Sequence, residues 1–402
     1  MSSNSSFHAT AEAAVEQAHR ELTGRLLSPQ GLLYDYVGEL PTPKDCAECR
    51  PNAMGWWSPI ENGPMFTGPW LKAMCARAQA TGAEADRELC RRLAEGLMLA
   101  ASVSDVPGMV ARGVGTDGKC HYPLGSCDQT LPWFFGLHAY VQSGLADAAF
   151  RSRIVAKMVE VAEVMEKVGW RVPSDGPFRT EFRGNFLADG LPFRGATHFL
   201  FILRALHDVT GEVKWLDLYR RMRDEVYPKR TETRLDACAA GYLIDRPKFP
   251  CDGSGIWIYV CAQGCLMELW KGETDPIAKA KYRQGLDATA KSAATRMGDS
   301  RKWRNTRETP FKYANWRTGY AWREQKTQKD AEQVANSGKR EILGNRKNEE
   351  RILVACPLSA AAICAYAGAA RAEIEATLRR YDYSTVNISE FFLAEVAWYA
   401  LP

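Results

Sequence analysis

Six times along this 402-residue chain a charged, amphipathic stretch with helical spacing is followed by an irregular loop and then by a more apolar stretch rich in aromatic and small residues. The apolar stretches begin near Pro64, Cys127, Phe193, Gly255, Pro357 and Ile388, and the first four onsets lie about 62 to 66 residues apart. That period leaves room for two helices and two connections. Each unit therefore reads as a hairpin of one outer and one inner helix, and charged members can shield apolar ones when the hairpins close on themselves. The expected fold is mainly α: an (α/α)6 toroid of six helical hairpins.

The spacing predicts outer and inner helices at 11–27 and 64–80, 83–102 and 128–142, 146–168 and 193–209, 213–227 and 255–271, 276–297 and 357–367, and 371–381 and 388–400. A further short turn is expected at 235–240. Apolar residues such as Ala14, Val15, Ala18 and Leu22 recur at helical intervals in the first outer stretch, and Gly or Pro punctuates the start of each inner one. Alternating β-branched runs are nearly absent. No linker rich in Ser, Gly and Pro interrupts the pattern, so one domain spanning 1–402 is expected. Its one irregularity is a basic insertion at about 299–351, whose polar second half, 324–350, reads as mobile or as a solvated helix and not as core.

A net charge of +4 is too small to imply a polyanion, so no nucleic-acid partner is expected. No stretch of about 18 residues is free of polar interruption, and no membrane partner is expected. The first ten residues lack a basic segment followed by an apolar one, as suits a cytoplasmic protein, or a periplasmic or secreted one whose signal has been removed. Most of the 12 cysteines fall inside helical stretches, where a thiol acts as a small apolar filler. Cys46 and Cys49 form one C-x-x-C without a second matched pair, so neither a metal nor another cofactor is expected. Phosphate-loop, nucleophile-elbow and zinc-protease motifs are absent, and the GVGTDG at 113–118 has no βαβ context.

Antiparallel hairpins in a toroid point all inner helices the same way, so their N-termini and the loops entering them share one rim, where positive helix ends favour anionic groups. The first junction supplies Trp56, Trp57, Glu61 and Asn62; the second supplies Asp117, His121, Asp128 and Gln129. The third supplies Arg179, Arg183 and Asp189, with His198 one turn into the helix. Asp252 precedes the fourth inner stretch, the insertion adds Trp316 and Arg317, and Asn387 and Glu390 precede the sixth. Indole faces stack on sugar C–H surfaces, amides and imidazoles bond hydroxyls, paired carboxylates cleave glycosidic bonds, and arginines match a sugar carboxylate. Carbohydrate chemistry fits this mixture.

Each residue also has a plainer role. Asp128 can serve only the first helical turn, Glu61 a surface ion pair, Asp189 and Asp252 turns, His198 core packing, and Trp56 with Trp57 the filling of their loop.

The segments WSPIENGP at 57–64 and YPLGSCDQTLPW at 122–133 resemble the substrate-facing junctions of the six-hairpin glycosidase superfamily, whose members include glycoside hydrolase families 88, 105 and 154. The resemblance implies an (α/α)6 barrel and a hydrolase for a uronic-acid-containing, glucuronide-like oligosaccharide. Glu61 and Asp128 are then the leading catalytic carboxylates, with Asp117 and Asp189 as substitutes. Arg179, Arg183 and Arg317 would hold the uronate, and Trp56, Trp57 and Trp316 would stack on sugar rings, with Asn62, His121, Gln129 and His198 as further substrate contacts. A polysaccharide lyase using Tyr122 and His121, a sugar epimerase, and a non-catalytic carbohydrate or polyanion binder using 301–323 remain the alternatives. Oligomeric state is left open.

Overall fold

The structure, a computed structural model, describes residues 6–188, 190–227, 230–242, 256–306, 316–317 and 322–402. Asp189 and Asp252 therefore lie outside the described residues, as does much of the 301–323 basic segment. The described chain is mainly helical, with isolated β-bridges and no β-strand among the described residues. The first half holds α1 (Ala11–Glu21), α2 (Pro43–Ala47), α3 (Gly63–Thr81), α4 (Glu84–Ala100), α5 (Cys127–Gln142), α6 (Ala148–Lys167) and α7 (Pro192–Thr210). Then follow α8 (Val213–Asp224), α9 (Arg234–Ala240), α10 (Val260–Gly272), α11 (Pro276–Ala294), α12 (Gln328–Glu350), α13 (Cys356–Tyr366), α14 (Arg371–Leu378) and α15 (Leu393–Ala400).

The anticipated apolar stretches become α3, α5, α7, α10, α13 and α15; four match their expected bounds within a residue, whereas α10 and α15 begin five residues late, after the short 3-10 turns Ile256–Tyr259 and Ser389–Phe392. Their packing order is sequential: α3 lies on α5, α5 on α7, α7 on α10, α10 on α13, α13 on α15, and α15 on α3. The amphipathic helices lie outside these contacts, α4 against α3 and α5, α6 against α5 and α7, and α11 against α10 and α13. Local chemistry sets the boundaries. Thr10, Asp147 and Asp275 cap α1, α6 and α11 with side-chain oxygens, whereas α3 ends at Gly82, whose φ of +66° suits a residue without a Cβ.

The tightest inner contact is made by absence of side chain. A Cβ at Gly68 of α3 would stand 2.0 Å from the Pro132 carbonyl oxygen of α5, and one at Gly136 would stand 2.7 Å from the Gly68 Cα. At the two ends of the chain, buried Glu395 of α15 accepts from the Trp70 indole N–H of α3 and is 2.8 Å from His19 Nδ1 of α1.

The insertion corrects the expectation that it stays out of the core. Gln328–Glu350 runs through a π-helical turn, Arg351–Ala355, directly into α13. Ala331, Val334 and Ala335 fall at helical spacing on one face and are buried, the two alanines against Trp57, Leu124, Phe178 and Trp316. Small side chains give this face little hydropathy, which is why the segment reads as solvated in sequence. Buried Glu350 accepts from the Asn387 and Ile388 N–H groups at 2.9 and 3.0 Å, tying α12 to the loop before α15.

Candidate functional site

The loops that enter α3 and α5 are joined by backbone before any side chain is considered: the Gly63 N–H donates to the Arg112 carbonyl at 2.8 Å. The loop before α15 joins them, since the Ser389 N–H donates to the Asp35 carbonyl. α3, α5 and α7 begin without a side-chain hydrogen bond from the N-cap residue.

A buried polar network fills that junction. Asp35 accepts from the Asn62 backbone N–H at 2.7 Å and from its side-chain amide at 2.6 Å. Asn62 Oδ1 accepts from Gln129 Nε2 at 3.1 Å, and Gln129 Oε1 accepts from the Met65 N–H of α3 at 3.1 Å. Arg112 donates to Ser126 Oγ at 2.9 Å, reaches toward Asn62 Oδ1 at 3.5 Å, and has no hydrogen-bond partner at Nε. Burial pulls this guanidinium below its ordinary pKa, and the surrounding charges of Glu61, Asp128 and Asp35 oppose that pull, while that of Arg183 adds to it.

Glu61 and Asp128 both act through their charge on the Arg112 guanidinium, from different surroundings. Glu61 is buried and accepts from the Trp57 N–H at 2.8 Å, holding a turn in which Trp57 sits at φ +72°. Such a left-handed conformation costs a bulky residue on the order of 1 kcal/mol. Asp128 opens α5 with a side chain 35% exposed and pairs with Arg194 Nη1 at 2.7 Å. Arg183 pairs with Glu332 at 2.6 Å, and its guanidinium stands 5.1 Å from the ring centroid of half-buried Trp56.

Other expected site residues lie elsewhere or are committed to packing. Trp57 and Trp316 do not offer open stacking faces: both are buried in the small cluster under α12, and their indole N–H groups donate to the carbonyls of Ala335 and Glu39. Arg317 pairs with Asp45 and Glu39, and Arg179 is paired on the surface with Asp105. Asp117 is exposed in a turn, accepting from the Lys119 and Cys120 N–H groups. His121 stands 2.9 Å from Asp175. His198 is buried within α7, and neither ring nitrogen has a hydrogen-bond partner.

Asp35 and Arg112 were not singled out from sequence. Arg112 had a usable signal, an isolated charge inside the apolar run at 109–114, whereas Asp35 between two tyrosines had none.

A cavity of about 830 Å³ opens at the other end of the apolar helices and contains none of the expected site residues. The cavity and the buried polar network thus lie at opposite ends, and it is the network that adjoins the carboxylates expected from sequence. Among the described residues no group of His, Cys, Asp and Glu is placed to hold a metal, and no helix is long and apolar enough to cross a membrane. No family model matches the chain, and no curated protein or solved structure does.

Proposed function

We propose that the chain is a glycoside hydrolase built on an (α/α)6 toroid, cleaving a uronic-acid-containing, glucuronide-like oligosaccharide at the rim where α3 and α5 begin. The sequential packing of the six apolar helices, with α15 returning to α3, supports the toroid. The observation that carries the reaction is the buried network of Asn62, Arg112, Ser126 and Gln129, which joins the starts of α3 and α5 and so brings together the segments bearing Glu61 and Asp128, with Asp128 reachable from solvent.

In this reading Asp128 exchanges the proton with the glycosidic oxygen, and Glu61 is the second carboxylate of the pair. Arg194 and Arg183 hold the sugar carboxylate, and Trp56 supplies the ring face. An unsaturated uronide would use the same groups, with protonation at the vinyl ether carbon and addition of water. Tyr122 weighs against a lyase, since its hydroxyl is buried and donates to the Arg50 carbonyl at 2.5 Å. His198 weighs against an epimerase, because it is enclosed in the helical core.

The test is turnover of aryl β-glucuronides and unsaturated uronides by wild type and Asp128→Asn. Wild type should release product and the variant should lose at least about a hundredfold in kcat with an unchanged melting curve. Release of an ultraviolet-absorbing unsaturated product from a saturated uronide polymer would replace the hydrolase with a lyase. Full activity in Asp128→Asn would remove this residue from the chemistry.

A further inference from the structure

The cavity of about 830 Å³ at the C-terminal ends of the inner helices receives a residue from each: Lys72, His138, Asp208, Glu268, Tyr366 and Tyr399 from α3, α5, α7, α10, α13 and α15. Its size is that of a small-molecule pocket. We propose that it is a second binding site, for a neutral, hydroxyl-rich ligand of mono- or disaccharide size.

The charges in its wall are matched against one another. Lys72 donates to Glu268 Oε1 at 2.7 Å, and Lys271 lies 3.8 Å from the same oxygen. His138 Nε2 is 3.4 Å from Asp208 Oδ2, while Asp208 Oδ1 accepts from Arg204 at 2.8 Å. Arg283 is paired with Asp287 and donates to the Ala367 carbonyl. An anion entering here meets the carbonyl ends of several helices together with Asp208 and Glu268. A cation meets Lys72, Lys271 and Arg283. A neutral ligand meets neither repulsion.

What remains suits hydroxyl groups, which donate and accept at once. Lys72 spends one of its three N–H donors on Glu268. Gln79 and Gln142 also line the cavity, and their side-chain amides donate to the Ser143 and Asp208 carbonyls at 3.1 and 3.5 Å. Trp270, held by the Arg283 guanidinium 5.7 Å from its ring centroid, adds an aromatic surface of the kind that packs on sugar C–H groups. A purely structural wall would be served as well by an apolar pair as by Lys72 and Glu268, without their desolvation cost.

Titration calorimetry of the full chain with maltose, cellobiose and lactose, beside glucuronate and glucosamine, tests this. At least one neutral disaccharide should bind saturably, with an affinity insensitive to salt. Trp270→Ala and the exposed-site variant Gln142→Leu should each weaken it about fivefold, with melting curves confirming the fold. Asp128→Asn, at the other rim, should leave it unchanged. Preference for the charged sugars, absence of saturable binding by every neutral one, or weakening by Asp128→Asn but not by Trp270→Ala would overturn the proposal. Hydrolytic activity plays no part in this readout, so the two sites stand or fall separately.

Discussion

His198 shows how far residue type alone can inform. Its place one turn into α7, beside Phe199 and Phe201, is legible in sequence, and so is the choice between a core histidine and a rim contact. What sequence does not disclose is that the buried ring finds no hydrogen-bond partner. Burial, and then the charge of Arg194, hold its pKa well below the ordinary value of 6.5. In the unfolded chain the imidazole takes up a proton below about pH 6.5, while in the folded chain it stays neutral until a lower pH. Its contribution to stability is therefore complete above that pH and is lost as pH falls toward the folded pKa, at up to about 1.4 kcal/mol per pH unit. Denaturant unfolding across the mildly acid range should show wild type losing stability faster than His198→Leu. Equal slopes would mean that the ring gains a partner in solution. Arg112 and Asp35 teach the complementary point: each belongs to a network assembled from loops far apart in sequence, and residue type gives no measure of that proximity.

At the scale of elements, the alternation of amphipathic and apolar helices was readable because packing acts on whole faces. Amphipathic helices such as α1 and α8 are buried on one side, whereas every residue of α13 is buried, and composition records that difference directly. α12 escaped because its buried face is built of alanine and valine between charged neighbours. The approach of α3 to α5 was also hidden, since a glycine in a helix reads as a flaw until its neighbour is known. Here the missing side chain sets the spacing. Gly68→Ala would place a methyl against the Pro132 carbonyl, on backbone that can yield only by moving a helix. The variant should unfold at lower denaturant, losing on the order of 3 kcal/mol. The same substitution at Gly82 supplies a comparison: no atom lies within 4 Å of its added Cβ, but its φ of +66° should still cost on the order of 1 kcal/mol. A loss at Gly68 no larger than that at Gly82 would show that the helix pair relaxes freely.

The last helices of the molecule meet its first, and a buried carboxylate bonds to both α1 and α3 at that meeting. Glu395 stands on α15 without measurable exposure, bonded to Trp70 of α3 and to His19 of α1, residues separated from it by most of the chain. Neither partner is a sequence neighbour, so hairpin periodicity predicts the meeting of these helices but not the side chains that secure it. Contacts with such long sequence separation form at a large entropic cost, which makes their loss a test of global rather than local stability. Glu395→Leu would leave the Trp70 indole N–H and the His19 ring without this acceptor, and should destabilise the protein by roughly 3 kcal/mol. In a Trp70→Phe background the same substitution strands one fewer donor and should cost less, by about 1 kcal/mol or more. Equilibrium unfolding of the four proteins measures that coupling. Strict additivity would show that Glu395 and Trp70 act separately, and the meeting of α15 with α3 would then rest on the apolar contacts among α13, α15 and α3 alone.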